Sequence, residues 1–183
     1  HGQLFANITS KGDVTITAFG QGQNKANVNV SHGTVNAEFW GGYQGTITAY
    51  QNVDVTAWKS LNLNATTEHG SISAFGYQET TVDAKAGNSI NVEAFGSVKA
   101  ELHAGLYQPA SPSEPVIAGL AILIAHAAIT NGTSVMSTTG SAMIKSKEDV
   151  NNVAVFSGDW IDDTNVFFFN DTATTEIYTL GDI

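Results

Sequence analysis

The chain has 183 residues, 42% of them hydrophobic, which is enough for one folded domain with its own core. Only 13% of the residues are charged and the formal net charge is −10, a balance that argues against nucleic acid or an anionic membrane as a partner. Neither cysteine nor arginine occurs in the sequence. Their absence excludes disulfides, thiolate metal sites and guanidinium clamps on acidic substrates.

Between Gly12 and Ala104, apolar and polar residues alternate in short runs. In the first of these runs Val14, Ile16 and Ala18 alternate with threonines, which is the period of a half-buried β-strand. Later runs follow the same pattern, and most of them close on alanine. They contain Val28, Val35, Ile47, Val53, Leu61, Ile72, Val82, Ile90 and Val98.

A large aromatic residue returns every 17 to 20 residues through this region, at Phe19, Phe39, Trp58, Phe75 and Phe95. Each aromatic period holds two of the short strands and two corners. Repetition at this spacing is typical of a stacked solenoid, in which each turn of chain pairs in parallel with the next. The sequence therefore predicts an all-β parallel solenoid with rungs of about 19 residues.

An antiparallel β-sandwich is the alternative architecture. Its sharpest sequence sign is a two-residue Asn-Gly or Asp-Gly hairpin turn. The repeat block contains none, and Asn131-Gly132 lies outside it. The five aromatic residues also have two interpretations: they stack under a corner and fix the register, or they form an exposed ladder for sugar rings. Strand parity does not decide between these, because a corner resets the alternation.

The phrases GDVTITA, GTITAYQNVDVTA and GNSINVEA resemble the repeats of filamentous-haemagglutinin-like proteins and autotransporter passengers of Gram-negative bacteria. The resemblance covers about residues 12–104 and, more loosely, 118–156. It implies a right-handed parallel β-solenoid (β-helix) that is exported to the cell surface and acts in adhesion or biofilm formation. It carries no catalytic motif, so no functional residue is transferred from it.

All three prolines lie in 109–115, which predicts a break after a regular block at 1–108. The following apolar run, 116–129, is read as a strand or as a capping helix, and small residues alternating with large ones favour the strand. Residues 116–165 are predicted to continue the solenoid less regularly or to cap it. The run is too short to span a bilayer.

The last part of the chain is predicted to be foreign to the protein. Residues 170–180 read NDTATTEIYTL, which resembles a translated sequencing-library adapter. Residues 166–183 are therefore set aside as a non-native tail. The sequence is interpreted as a fragment of a longer protein, obtained by environmental sequencing.

Three functions are compatible with this pattern. The first, and favoured, is a non-enzymatic stalk of a secreted or surface-exposed Gram-negative adhesin, with an unidentified host or bacterial receptor or glycan as partner. The second is a carbohydrate-active β-helix enzyme or glycan-binding module; an enzyme would need two carboxylates converging in a groove. The third is an ice- or glycan-binding face, which would need a flat, regular threonine array.

The sequence predicts no catalytic, cofactor-binding or metal-binding residue. Carboxylates are scattered over outward positions, with Asp83 and Glu101 about one period apart. The histidines have no metal-binding spacing, and His32 and His69 each precede a glycine at a predicted corner. Membrane insertion by this segment is not expected.

Overall fold

A computed structural model describes residues 2–109, 111, 113, 114 and 116–158, and the backbone alone of 175–179. The described part contains strands, turns and bends but no helix. Accordingly, it contains no helix long and apolar enough to cross a membrane.

Within the described residues, sixteen strands form two eight-stranded sheets, here called sheet A and sheet B. Sheet A holds β1 (Phe5–Ser10), β3 (Gln23–Val30), β5 (Gly42–Ala49), β7 (Leu61–Thr67), β9 (Thr80–Ala86), β11 (Val98–Ala104), β13 (Thr133–Ser137) and β15 (Val153–Ser157). Sheet B holds β2 (Val14–Ala18), β4 (Val35–Phe39), β6 (Val53–Ala57), β8 (Ile72–Gly76), β10 (Ile90–Ala94), β12 (Ala121–Ala125), β14 (Ala142–Ser146) and β16 (Thr175–Thr179).

The chain alternates between the two sheets, so one strand of each sheet makes one rung. Outside one rung that carries an insertion, paired residues in successive parallel rungs are 18 to 21 positions apart, as in the column Val14, Val35, Val53. All pairings from β1 to β15 are parallel. The parallel β-solenoid predicted from the aromatic period is therefore confirmed, and the antiparallel sandwich is not what the chain forms.

β16 is the exception, because it pairs with β14 in the antiparallel direction. It lies within the segment predicted to be a non-native tail. Apart from the β16 backbone, that segment lies outside the described residues.

The two sheets face one another across a single core. Along most strands the inward residues are buried and the outward ones are not, as the alternation predicted; in the first two strands, β1 and β2, most inward residues are only half-buried. Most inward residues are Val, Ile, Leu or Ala, and each packs on its counterpart in the next rung. Parallel stacking at about 4.8 Å per rung thus builds one continuous apolar column inside the solenoid.

The rung between β11 and β12 carries an insertion, residues 105–120. It lengthens the step to 31 residues between Ile90 and Ala121 and to 33 between Glu101 and Ser134. The predicted proline-rich break lies inside this insertion. The apolar run after it forms no helix: β12 occupies Ala121–Ala125 and pairs with β10 and β14.

Candidate functional site

A column of ring side chains runs along one corner of the solenoid, directly after the sheet B strands. Each member follows the last inward residue of its strand. From the second rung on, its backbone N–H donates to the carbonyl at the end of the preceding rung's strand, at 2.8–3.1 Å. Register therefore continues one residue beyond the strands. The members of this aromatic column are Phe19, Trp40, Trp58, Tyr77, Phe95 and His126.

The rings of the column are exposed although they also contact one another. Phe19 is 72% exposed, Tyr77 50%, and Trp40, Trp58 and Phe95 are each 45% exposed. Ring centroids are 5.9 Å apart for Phe19 and Trp40, and 5.5 Å apart for Tyr77 and Phe95. His126 stacks on Phe95 at 4.2 Å with an interplanar angle of 11°. The column thus presents exposed rings over five rungs and ends at the half-buried His126.

Membership of the column differs from the sequence prediction at two positions. Phe39 is an inward residue with 0% exposure and stacks on Tyr43 in the core at 4.3 Å, so it does not share the ladder with Phe19, Trp58 and Phe95. The ladder position in that rung belongs to Trp40.

Phe75 likewise lies two residues before the column position, which is Tyr77. It is half-buried, and its ring centroid lies 5.8 Å from that of Trp58 and 5.9 Å from that of Phe95. Phe75 therefore supports the column from the sheet side. Aligning the repeats on the residue that closes each strand, rather than on the aromatic itself, would have found Trp40, Tyr77 and His126.

Outward residues of sheet B flank the column with hydrogen-bonding groups. One row runs Thr17, Glu38, Thr56, Phe75, Glu93, and the next runs Thr15, Asn36, Asp54, Ser73, Asn91. These two rows, without Phe75, are called the polar strip. Shallow grooves lie over it, one lined by Glu38 and Asp54 and another by Asn36, Asp54 and Asn91.

Two carboxylates of the polar strip contact the aromatic column directly. Glu38 Oε1 accepts a hydrogen bond from the indole Nε1 of Trp58 at 3.0 Å. Glu93 Oε1 lies 2.8 Å from Nε2 of His126. Asp54 makes no such contact, and burial raises the pKa of its carboxyl above the ordinary value. The acids therefore orient two rings and give the face a negative border.

A second, shorter column occupies the opposite corner and alternates imidazole with phenol. Tyr50 lies 6.0 Å from His32 and 4.5 Å from His69, and His69 lies 4.6 Å from Tyr107, measured between ring centroids. His32 and His69 both occupy corners, as the sequence indicated. Partial burial and the neighbouring Glu114 carboxylate, which accepts a hydrogen bond from the Tyr107 hydroxyl at 3.3 Å, raise the pKa of Tyr107.

The outer face of sheet A is polar but irregular. Its best threonine row reads Thr9, Asn29, Thr48, Thr66, Lys85. Asp83 and Glu101 are register neighbours on this face, as their spacing indicated. The flat, regular threonine array that an ice-binding face requires is not formed here.

Among the described residues, no group of three or more His, Cys, Asp or Glu side chains could hold a metal ion. The site is therefore a surface of rings, carboxylates, amides and hydroxyls. Such a surface can stack on and hydrogen-bond to a ligand without any prosthetic group.

The fold and this surface define a parallel β-solenoid repeat protein with an aromatic column along one corner. Comparison with known proteins adds no family to this description: no family model matches the chain, and no curated protein or solved structure shows significant similarity to it.

Proposed function

We propose that this chain is a rigid spacer segment of a bacterial surface adhesin. The observation that carries the proposal is the continuous parallel pairing of rungs from β1 to β15, which the long insertion does not interrupt. Eight rungs at about 4.8 Å set the first and last sheet A strands about 34 Å apart. A stack of this kind holds its two ends at a fixed distance, which is what a stalk requires.

Polar contacts between rungs support a rigid rather than a flexible spacer. Asn24 bonds to backbone groups of the rungs on both sides, and Asp13 and Asn52 each accept from the backbone N–H of the next rung at 2.8 and 2.9 Å. No buried side-chain N or O atom of the described residues lacks a partner. Internal polar groups that are fully paired favour one register over slipped alternatives.

The placement on the surface of a Gram-negative cell rests on the resemblance of the repeats to adhesin passengers. Low charge and absence of cysteine are consistent with it. The partner of the whole adhesin is proposed to be a host or bacterial receptor or glycan. Nucleic acid is disfavoured because the net charge is −10.

A distance measurement tests the spacer. The chain has no native cysteine, so Phe5→Cys and Lys99→Cys can carry two spin labels. Both positions are exposed in one row of sheet A, five rungs apart, or about 24 Å between backbones. We expect a narrow distance distribution. A broad distribution, like that of a Gly/Ser linker, would contradict the proposal.

A display experiment tests the stalk role itself. A binding domain is anchored on cells through one copy of the chain, through two tandem copies, or through a flexible linker of matched mean length. Adhesion to a target buried in a polymer brush should rise from one copy to two. Adhesion that does not depend on copy number would count against a stalk.

One observation favours the second candidate, a carbohydrate-active enzyme. Glu38 and Asp54 line the same shallow groove beside the exposed Trp40 and Trp58. They lie one rung apart and two residues apart along the strand, about 8 Å between backbones. Burial raises the pKa of Asp54, which suits a general acid, and Glu38 is the second carboxylate of the pair.

Release of reducing ends from cellohexaose and chitohexaose tests the enzyme. The candidate predicts release by the intact chain and loss of release in both Asp54→Asn and Glu38→Gln. No release by the intact chain, or equal release by the variants, would exclude this pair as the catalytic acids.

A further inference from the structure

We propose that the aromatic column and the polar strip together bind a neutral, linear oligosaccharide that lies along the solenoid axis. This goes beyond the spacer role and is tested separately from it.

The shape of the column selects a linear, repeating ligand. It presents one ring per rung, and the six ring positions span about 24 Å at about 4.8 Å per step. The exposed ring surface of Phe19, Trp40 and Trp58 can pack against the apolar C–H groups of a pyranose, whereas the stacked rings of Phe95 and His126 cover part of each other. A chain of sugars can therefore contact several rings at once, while a compact ligand reaches only one or two.

The polar strip supplies what sugar hydroxyls need. Glu38 and Glu93 retain acceptor capacity beyond the bonds they make to Trp58 and His126, because an ionised carboxylate has about four lone-pair sites. Asn36 and Asn91 offer both donors and acceptors on the next row. Rings on one side and amides and carboxylates on the other match a ligand with apolar faces and hydroxylated edges.

Other classes of ligand fit this surface poorly. The carboxylates repel phosphates and acidic polysaccharides. A peptide could not add as a strand, because the sheet B strands from β4 to β12 are paired on both sides. A lipid surface needs a broad apolar face, whereas the column is one ring wide with carboxylates at its border.

The test titrates the full chain with cellohexaose, chitohexaose and their disaccharides, followed by tryptophan fluorescence and calorimetry. Two of the three tryptophans, Trp40 and Trp58, lie in the column and report on it. We expect at least one hexasaccharide to bind, about tenfold or more tighter than its disaccharide. Trp40→Ala/Trp58→Ala should weaken binding about tenfold or more, while Trp40→Phe/Trp58→Phe should restore most of it.

Tyr50→Ala is the matched control, since it removes a ring that contacts neighbouring rings at the opposite corner. Far-UV circular dichroism and thermal unfolding show whether each variant is folded, and the single variants Trp40→Ala and Trp58→Ala test the site even if the double variant is not folded. Three outcomes would overturn the proposal: no hexasaccharide binds at millimolar concentration, Tyr50→Ala weakens binding as much as the column variants do, or choline displaces the sugar. The last outcome would assign the rings to cations.

Discussion

Asn24 links three successive rungs from inside the core. Its Oδ1 accepts from the Leu4 N–H at 3.0 Å, and its Nδ2 donates to the Gly42 carbonyl at 3.0 Å. The side chain of Asn24 is fully buried, and its hydrogen bond to the Gly42 carbonyl is shielded from water. The side-chain amide of Asn24 therefore takes the place of backbone hydrogen bonds to the rung before it and to the rung after it.

Replacing Asn24 by Leu should destabilise the chain strongly. The change leaves the Leu4 N–H and the Gly42 carbonyl unpaired, and each orphaned group costs about 1–3 kcal/mol. We expect the free energy of unfolding in denaturant to fall by about 2 to 5 kcal/mol. Asn29→Leu, at an exposed position of the same strand, is the control and should change it by less than about 0.5 kcal/mol. Equal losses in the two variants would show that Asn24 is not a special link.

Asp54 makes stability depend on pH in the direction opposite to that of a typical paired acid. Burial raises the pKa of its carboxyl above 3.8, so the folded state holds the proton more tightly than the unfolded chain does. The folded state is therefore favoured at low pH, and this contribution is lost as the pH rises through the raised pKa.

Asp54→Asn should consequently raise the melting temperature at pH 7, where the wild-type group is ionised. The gain should shrink as the pH falls and vanish below about 3.9, where both states of the wild type are protonated. Melting curves between pH 3 and pH 8 measure this. Glu68→Gln, at an exposed corner, is the control. A gain that persists unchanged at pH 3 would point to lost packing strain instead of charge.

The limits of sequence reasoning are visible at Phe39 and Trp40. Alternation predicted which residues of each strand face inward, but it ends at the corner. There the choice between two adjacent aromatic residues depends on where the strand closes. Phe39 takes the closing position that Ala18 and Ala57 hold in the neighbouring rungs, and Tyr43 opposite stacks on its ring. No local pattern encodes that cross-core contact.

At the scale of the element, the insertion at 105–120 interrupts the sequence repeat but not the stacking of the rungs. It leaves β11 at Gly105, whose φ of +70° glycine adopts without a steric cost. Thr139 Oγ1 then donates to the Ile117 carbonyl and accepts from the Gly119 N–H, and Ser137 Oγ donates to the Gly119 carbonyl. The loop is thus held at its end by the next rung.

The prolines predicted a break, but not that the chain would return in register. Apolar runs such as 116–129 satisfy a helix and a buried strand equally well. In the structure this run contains the strand β12 and no helix, because β10 and β14 pair with both edges of β12. The pairing of β12 with β10 and β14 is a tertiary contact, which no short stretch of sequence specifies.

Deleting residues 106–117 should therefore leave the fold intact. The deletion leaves four positions between Ala104 and Ala121, comparable to the other corners, and the shorter loop lowers the entropic cost of closure by about 1 kcal/mol. Loss of the Tyr107 contact with His69 opposes that gain. We expect an unchanged β spectrum and a free energy of unfolding within about 1 kcal/mol of the wild type.

A deletion of equal length inside the repeats, residues 51–62, is the control for the insertion. It removes β6 and shifts every later strand, so we expect loss of the cooperative transition. If removing 106–117 caused the same loss, the insertion would be a structural part of the stack.

At the scale of the whole molecule, stability is built from rungs that contact only their neighbours. This one-dimensional order is the property that the repeat period predicted best, since every rung restates the same pattern of inward Val, Ile, Leu and Ala. Columns that run over many rungs, such as the aromatic column, are the part that the period alone could not assign. They depend on register summed over many rungs, where one misplaced position moves a side chain from core to surface.

Removing one complete rung is the strictest test of this order. Deleting residues 62–80 joins Leu61 to Thr81, and because Asn62 and Thr81 are register partners the later strands keep their sheets and faces. We expect a folded protein whose denaturant m-value falls by about one eighth, in proportion to the surface that one of eight rungs buries.

Deleting 62–71 instead removes half a rung and moves sheet B strands into sheet A. That variant should lose cooperative unfolding, because its corners and closing residues no longer match those of the rung before it. If the two deletions behaved alike, the rungs would not be interchangeable units and the spacer role would lose its physical basis.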